Sequence, residues 1–221
     1  MLKDGEKGVI RQRGKDNATY AIAPHVPCGI ITPDQLQKLA DVARKYSVSA
    51  VKITSAARIA LVGITEEQVD GIWADLGMDA GHATGLCVRS IKVCPGTTYC
   101  RLAKQDSIKM GMALDETYHG MVLPSKMKIG VSGCKIQCAE NCIKDISLYG
   151  TQEGWTMMIG GNGSAKPRLA DILMEGLGFE AAQEMVARVM AYYKEHSKRE
   201  RMGRMVDRIG LDNIKSDLKI I

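Results

Sequence analysis

The sequence predicts an α+β fold in two parts, and three observations carry that prediction. Runs of apolar period two and runs of helical period follow one another as β-α-β-β-α-β over roughly residues 17–93. Both periods recur beyond residue 93, where strand-like and helix-like runs are interleaved as in an α/β domain. Finally, four of the seven cysteines fall in two pairs, Cys94 with Cys100 and Cys134 with Cys138, each opening on a turn residue. The two parts are therefore set at residues 1–93 and 94–221.

Residues 19–24 read as a strand closed by Pro24. Thr32-Pro33-Asp34 starts a helix, with proline at the first helical position and Leu36, Leu39, Ala40 and Ala43 at helical period. Residues 50–54 and 58–62 read as two strands. Thr65 caps a second helix carrying Val69, Ile72, Trp73 and Leu76. Residues 88–93 alternate as a half-buried strand and complete a ferredoxin-like split βαβ order. In the second part, residues 99–114 and 136–143 read as helices, and 126–131, 145–149 and 155–159 as strands. The loop Gly160 to Ser164 leads to an amphipathic helix with Phe179, Ala182, Met185, Val186, Val189, Met190 and Tyr193 on one face. Residues 198–204 read as a mixed-charge helix with a solvated face.

Composition narrows the function classes. Hydrophobic residues make up 45% of 221 and charged residues 25%, which suits an ordinary soluble globular chain. No apolar run approaches the roughly 20 residues of a membrane span, and the polar N-terminus lacks the core of a secretory signal. A cytoplasmic protein with no membrane association is expected. The net charge of +5 is modest, and one Phe and two Trp supply few stacking platforms, so no nucleic-acid partner is expected. A local basic cluster suits a polyanionic small molecule better.

Seven cysteines in a reducing compartment do not make a disulfide framework, and the odd number argues against complete pairing. Metal or redox chemistry is the natural reading. Five residues separate the first pair and three the second, unlike the two-residue spacing of zinc ribbons. The spacing favours a larger body with separated corners, a 4Fe-4S cluster, over zinc. Cys142 follows Cys138 at the interval by which Cys138 follows Cys134, so a helix would set all three near one face. It is either a fifth candidate ligand or a residue packing beneath the site. Cys28 and Cys87 read as small buried hydrophobes.

Among the basic residues, Lys126 and Lys128 lie two apart on one predicted strand and so on one face. They either bind an anion beside the cysteines or form a solvated face. The loop Gly160–Gly161–Asn162–Gly163–Ser164, followed by Lys166 and Arg168, either offers bare backbone N–H groups to an anion or makes a tight turn.

The two cysteine pairs, with Gly133 before and Asp145-Ile146 after the second, resemble the sirohaem and 4Fe-4S signature of sulfite and nitrite reductases. Residues 33–40, 53–64 and 88–94, Gln105-Asp106-Ser107 and residues 160–163 share the resemblance, which extends over about residues 17–215. It lies nearest the small single-repeat assimilatory-type sulfite reductases, with the sirohaem region of NADH-dependent nitrite reductase a near second. The resemblance implies Cys94, Cys100, Cys134 and Cys138 as cluster ligands, with Cys138 shared with the sirohaem iron. It implies Arg58, Arg89, Lys126 and Lys128 as the catalytic cations that hold the substrate oxyanion. The larger sulfite reductases carry the first of these arginines two residues earlier, where Ala56 stands here. Cofactor contacts are implied at Lys52, Thr54, Thr97, Thr98, Gln105, Gly161, Asn162 and Arg168. The expected reaction is six-electron reduction of sulfite to sulfide, with nitrite to ammonia as the alternative substrate and low-turnover electron transfer as the alternative class. No flavin or nicotinamide motif occurs, so an external single-electron donor such as ferredoxin is expected. A homodimer is a possible arrangement, because the larger reductases contain two copies of this repeat.

Overall fold

Two sheets organise the chain, and each belongs to its own unit. A computed structural model describes residues 1–13 and 19–220, and divides the chain into Met1–Gly85 and Leu86–Ile221. Residues 17 and 18, at the start of the predicted split unit, lie outside the described residues.

The first unit carries an antiparallel sheet in the order β1-β2-β4-β3: β1 (Val9–Arg11), β2 (Tyr20–Ile22), β4 (Ile59–Ile64) and β3 (Ala50–Ile53). Two helices, α1 (Pro33–Lys45) and α2 (Val69–Leu76), supply the other half of its core. Thr32 caps α1: its hydroxyl accepts the Gln35 N–H at 3.2 Å, and Gln35 Oε1 accepts the Thr32 N–H at 3.0 Å. Tyr20, Ile22, Leu61 and Ile64 pack against Leu39, Val42, Val69, Ile72 and Leu76. Each such side chain removed from water contributes roughly 1.5–3 kcal/mol. The edge strand β3 is exposed along its whole length, with Ile53 77% exposed.

The second unit carries a mixed sheet in the order β5-β6-β7-β8-β9. Strands β5 (Val88–Val93), β6 (Met127–Ser132) and β7 (Ile146–Thr151) run parallel. Strands β8 (Gly154–Ile159) and β9 (Asp171–Leu177) continue the sheet antiparallel. The parallel β5–β6 step needs a crossover, supplied by α3 (Gly96–Tyr99) and α4 (Ser107–Tyr118). Helix α5 (Phe179–His196) packs against β8, while α6 (Met202–Ile209) and α7 (Leu211–Asp217) close the chain. Paired residues of parallel strands share a face, so the register sorts the side chains. Ile91, Ile129 and Ile146 occupy one face and are buried; Ser90, Lys92, Lys128, Gly130 and Ser147 occupy the other. No helix among the described residues is long and apolar enough to cross a membrane.

Several expectations change. The strand at 88–93 belongs to the second sheet, pairing in parallel with β6, so the division falls at Gly85 and not at residue 93. Its outer place in the first unit's order is taken by β1, too short at three residues to show a period. The helix expected over 99–114 is two helices, because Cys100 is extended and Asp106 caps a new start by accepting the Lys109 N–H at 3.0 Å. No α-helix forms over 136–143: Gln137 and Glu140 hold positive φ values of 57° and 60° and break it into turns. Cys134, Cys138 and Cys142 therefore do not share a helical face. Strand β9 occupies residues to which no element was assigned, and residues 197–201, expected in part as helix, are not helical.

Candidate functional site

The first cysteine turn begins where β5 ends. Cys94 continues the parallel ladder, its N–H donating to Val131 O at 3.1 Å. Gly96 has φ 59°, and a Cβ there would stand 2.5 Å from Ser107 Oγ. Gly133, which opens the second turn, allows no Cβ either: one would stand 2.8 Å from Gln105 O and 3.0 Å from Gly96 Cα. The two cysteine turns thus meet backbone to backbone through two glycines. Gly133 O also accepts the N–H groups of Lys104, at 2.6 Å, and Gln105, at 3.1 Å. Gln105 donates from its side chain to Thr151 O at 3.0 Å and accepts the Thr97 N–H at its carbonyl, at 3.3 Å. It ties both turns to β7.

The thiols differ in setting. Cys94 is buried, and its Sγ accepts the Gly133 N–H at 3.1 Å and lies 3.3 Å from Ser107 Oγ. A sulfur that takes a backbone N–H is the setting of a ligating thiolate. Cys100 and Cys134 are half-buried, and Cys138 is exposed. No disulfide joins any of the seven cysteines.

The second turn lies on the polar face of the sheet and is pinned there by Asn141. Its Nδ2 donates to Leu148 O at 2.7 Å and Gly130 O at 3.2 Å, and its Oδ1 accepts from Ser132 Oγ at 2.5 Å. Ser132 Oγ in turn accepts the Ala139 N–H at 3.0 Å. Glu140 accepts from Lys92 at 2.9 Å and Lys144 at 2.8 Å. These two hydrogen bonds, Lys144 first, hold its carboxyl down at about 2. Gly130 leaves room for the buried Lys144 side chain to cross the sheet.

The basic residues gather at Lys128. A step of two residues on β5 against one on β6 makes Arg89 the extra residue of a bulge, which re-aims a strand side chain. Lys126 precedes β6 instead of lying in it. Burial, followed by the fields of Lys144, Arg201 and Lys126, pushes the Lys128 ammonium pKa down; Asp145 opposes them. Asp145 is buried and receives Arg201 through two N–H groups, at 2.9 and 2.5 Å, and the Lys128 N–H at 2.8 Å. Its burial pushes its own carboxyl up. Cations outnumber carboxylates in this partly desolvated patch, and an anion relieves that imbalance.

Arg201 also donates to Asn162 Oδ1 at 2.5 Å, which brings the glycine loop to the same patch. A Cβ on Gly161 would stand 2.5 Å from Lys144 O and 2.7 Å from Cys142 O, so bare backbone packs on the chain beyond the second turn. Arg168 spends its guanidinium internally, on Asp207, Asp171, Gly160 O and Leu169 O. Thr97 and Thr98 are exposed on the first turn. In the first unit, Arg58 is buried and follows a tight turn in which Thr54 N–H donates to Arg58 O at 2.8 Å and Thr54 Oγ1 accepts the Arg58 N–H at 3.1 Å. Lys52 is exposed on β3.

Sequence reasoning missed Lys92, Glu140, Asn141, Lys144, Asp145 as a partner, and Arg201. Arg201 sits in the stretch read as a solvated helix, yet it is the partner of a buried carboxylate. The alternation of Val88 to Val93 could have placed Lys92 beside the cysteines.

Four cysteines on two touching turns, with a partly desolvated cationic patch on the same sheet, suit an iron–sulfur centre beside an anion site. Residues 84–220 match the nitrite and sulphite reductase 4Fe-4S domain, and residues 12–78 match the nitrite/sulfite reductase ferredoxin-like half domain. An assimilatory-type sulfite reductase of Nitratidesulfovibrio vulgaris is 43% identical over 215 residues, covering 97% of this chain and 98% of that protein. The NAD(P)H nitrite reductase of Bacillus subtilis is 36% identical over 203 residues, covering 91% of this chain but 25% of that protein. The structure of the Mycobacterium tuberculosis NirA protein shares the fold, with a TM-score of 0.84 at 18% identity over 99% of this chain and 47% of that one. The chain belongs to the nitrite and sulphite reductase family and is an oxidoreductase of that type. Membership implies a 4Fe-4S cluster and sirohaem as cofactors.

Proposed function

We propose that this protein reduces sulfite to sulfide by six electrons, delivered singly from an external ferredoxin-like donor. The observation that carries the choice of sulfite is the end-to-end match to a sulfite reductase, 97% of one chain on 98% of the other. In this reading Cys94, Cys100, Cys134 and Cys138 hold the cluster, and Cys138 is the thiolate shared with the sirohaem iron. The cofactor pair, when bound, would supply the electrons for the reduction. The chain's own residues bind the substrate and move protons. Arg89, Lys126 and Lys128 are the oxyanion-holding residues of the second unit, and Arg58 is the candidate cation that the first unit carries. Lys128 suits proton delivery, because its environment makes its ammonium a stronger acid than an ordinary lysine. Cationic donors also stabilise the charge that develops on the departing oxygen. Lys52, Thr54, Thr97, Thr98, Gln105, Gly161, Asn162 and Arg168 contact the cofactors. For Gln105, Gly161 and Arg168 that contact is largely by way of the backbone they brace.

Protein purified anaerobically is expected to show the Soret and red absorption bands of sirohaem and to reduce sulfite with reduced viologen. Cluster absorption alone would overturn the haem assignment. Nitrite reduction to ammonia is the second reading, favoured by the 36% identity to a nitrite reductase. A higher kcat/KM for nitrite than for sulfite would establish it.

A further inference from the structure

Asp145 grips Lys128 through the backbone from both sides. The Lys128 N–H donates to Asp145 Oδ2 at 2.8 Å, and the Asp145 N–H donates to Lys128 O at 3.0 Å. The β6–β7 ladder begins only at Ile129 and Ile146, so this carboxylate stands in for a ladder carbonyl one residue before it starts. Asp145 is buried, and a buried carboxylate keeps its charge only beside a partner. Arg201 is that partner, with Nε on Asp145 Oδ1 at 2.9 Å and Nη2 on Oδ2 at 2.5 Å. Its third nitrogen, Nη1, donates to Asn162 Oδ1 at 2.5 Å. Asn162 is itself fixed, exchanging backbone bonds of 2.8 and 2.9 Å with Arg168, and the Gly160 N–H donates to Asp145 O at 2.8 Å. One planar side chain therefore joins strand β6 to the glycine loop. A lysine carries its charge at a single point and cannot span the same three acceptors.

We propose that Arg201 is a positioning residue of the anion site: its fork fixes Asp145, and Asp145 fixes Lys128 against the glycine loop. The inference rests on the reading of Lys128 as an oxyanion-holding residue. The charge of Arg201 reaches Lys128 as well. The charged groups facing Lys128 are Lys126 ahead of β6, Lys144 and Asp145 ahead of β7, and Arg201 ahead of α6. On β5 the uncharged Ser90 stands opposite, with Arg89 in the bulge beside it, and Tyr193 on α5 feels both Asp145 and Arg201. The field of Arg201 pushes the Lys128 pKa down more than that of Asp145 pushes it up. Loss of Arg201 therefore raises the Lys128 pKa, whether or not Asp145 then takes up a proton.

The test compares the wild-type holoprotein with Arg201→Lys, Arg201→Gln and the double variant Arg201→Gln/Asp145→Asn, in which no buried charge is left alone. Competitive acetylation with acetic anhydride across the alkaline range, read at the Lys128 peptide by mass spectrometry, reports the titration of that amine independently of turnover. The sulfite KM with reduced viologen reports its placement. Arg201→Lys keeps the charge and loses the fork, so the KM is expected to rise about tenfold, with Lys128 titrating as in the wild type. Arg201→Gln and the double variant are expected to raise the KM as well. In both, the acetylation of Lys128 and the alkaline weakening of sulfite affinity are expected to move to higher pH. A residue that only stabilised the fold would move neither. Lys128 titrating as in the wild type in both charge-removing variants would overturn the proposal. So would a sulfite KM left unchanged by all three variants while Lys128→Ala raises it. A KM that Lys128→Ala itself leaves unchanged would instead strike the proposed role of Lys128, and acetylation would still decide whether Arg201 governs that amine.

Discussion

The two cysteine turns are held by different means. The first is made by backbone: Cys94 extends a parallel ladder, and Gly96 and Gly133 let main chains touch. The second is made by side chains, with Asn141 bonded to two carbonyls and a serine hydroxyl and Glu140 braced by two lysines. Burial differs at one cysteine of each turn, since Cys94 is covered and Cys138 is exposed, while Cys100 and Cys134 are alike half-buried. A buried thiolate hydrogen-bonded by an amide suits a ligand that serves one metal group alone. An exposed thiolate on a side-chain scaffold leaves space for a second, larger group. The difference supports the proposal that the shared ligand lies in the second turn.

Breaking the side-chain scaffold should cost most. Asn141→Ala strands a hydroxyl and two carbonyls and is expected to lower stability by about 3 kcal/mol, read from chemical unfolding. Hydrogen exchange is expected to rise across residues 134–144 and to stay slow at Cys94; equal loosening of both turns would erase the distinction. Gly133→Ala attacks the backbone contact. Its methyl group overlaps Gln105 O and the Gly96 backbone, so a loss of about 2 kcal/mol is expected. Iron bound per chain is expected to fall as both turns separate.

The cationic patch sharpens the comparison at lower energy. Lys128→Ala is expected to raise the KM for sulfite about tenfold, roughly 1.4 kcal/mol, with cofactor loading retained, and Lys126→Ala to act in the same direction. Because the Lys128 pKa lies below that of an ordinary lysine, its charge is lost earlier as pH rises. Sulfite affinity is therefore expected to weaken in the alkaline range before an ordinary lysine would titrate, and Lys128→Arg to remove that dependence. Glu140→Gln should be mildest. Its side chain is 47% exposed, and solvent screening holds the expected loss below about 1 kcal/mol.

Strands and helices with clear periods were legible from sequence, as were the cap at Thr32 and the two cysteine turns. The first sheet's β1 was not, because three residues cannot display a period. Nor was the pairing of β5, since alternation reports a half-buried strand without naming its neighbour. The helix expected at 136–143 failed because side-chain bonds from Asn141 and Ser132 replace the helical ladder, and spacing does not register that competition. Arg201 was hidden for a related reason: its charge read as solvated, while its partner Asp145 lies 56 positions away.

Mössbauer spectroscopy of the anaerobic protein and its cysteine variants tests the central claim most directly. The account predicts magnetic coupling between haem iron and cluster in the wild type, its loss in Cys138→Ser, and its survival in Cys142→Ser. Coupling that persists in Cys138→Ser, or vanishes in Cys142→Ser, would contradict the assignment of Cys138 as the shared thiolate.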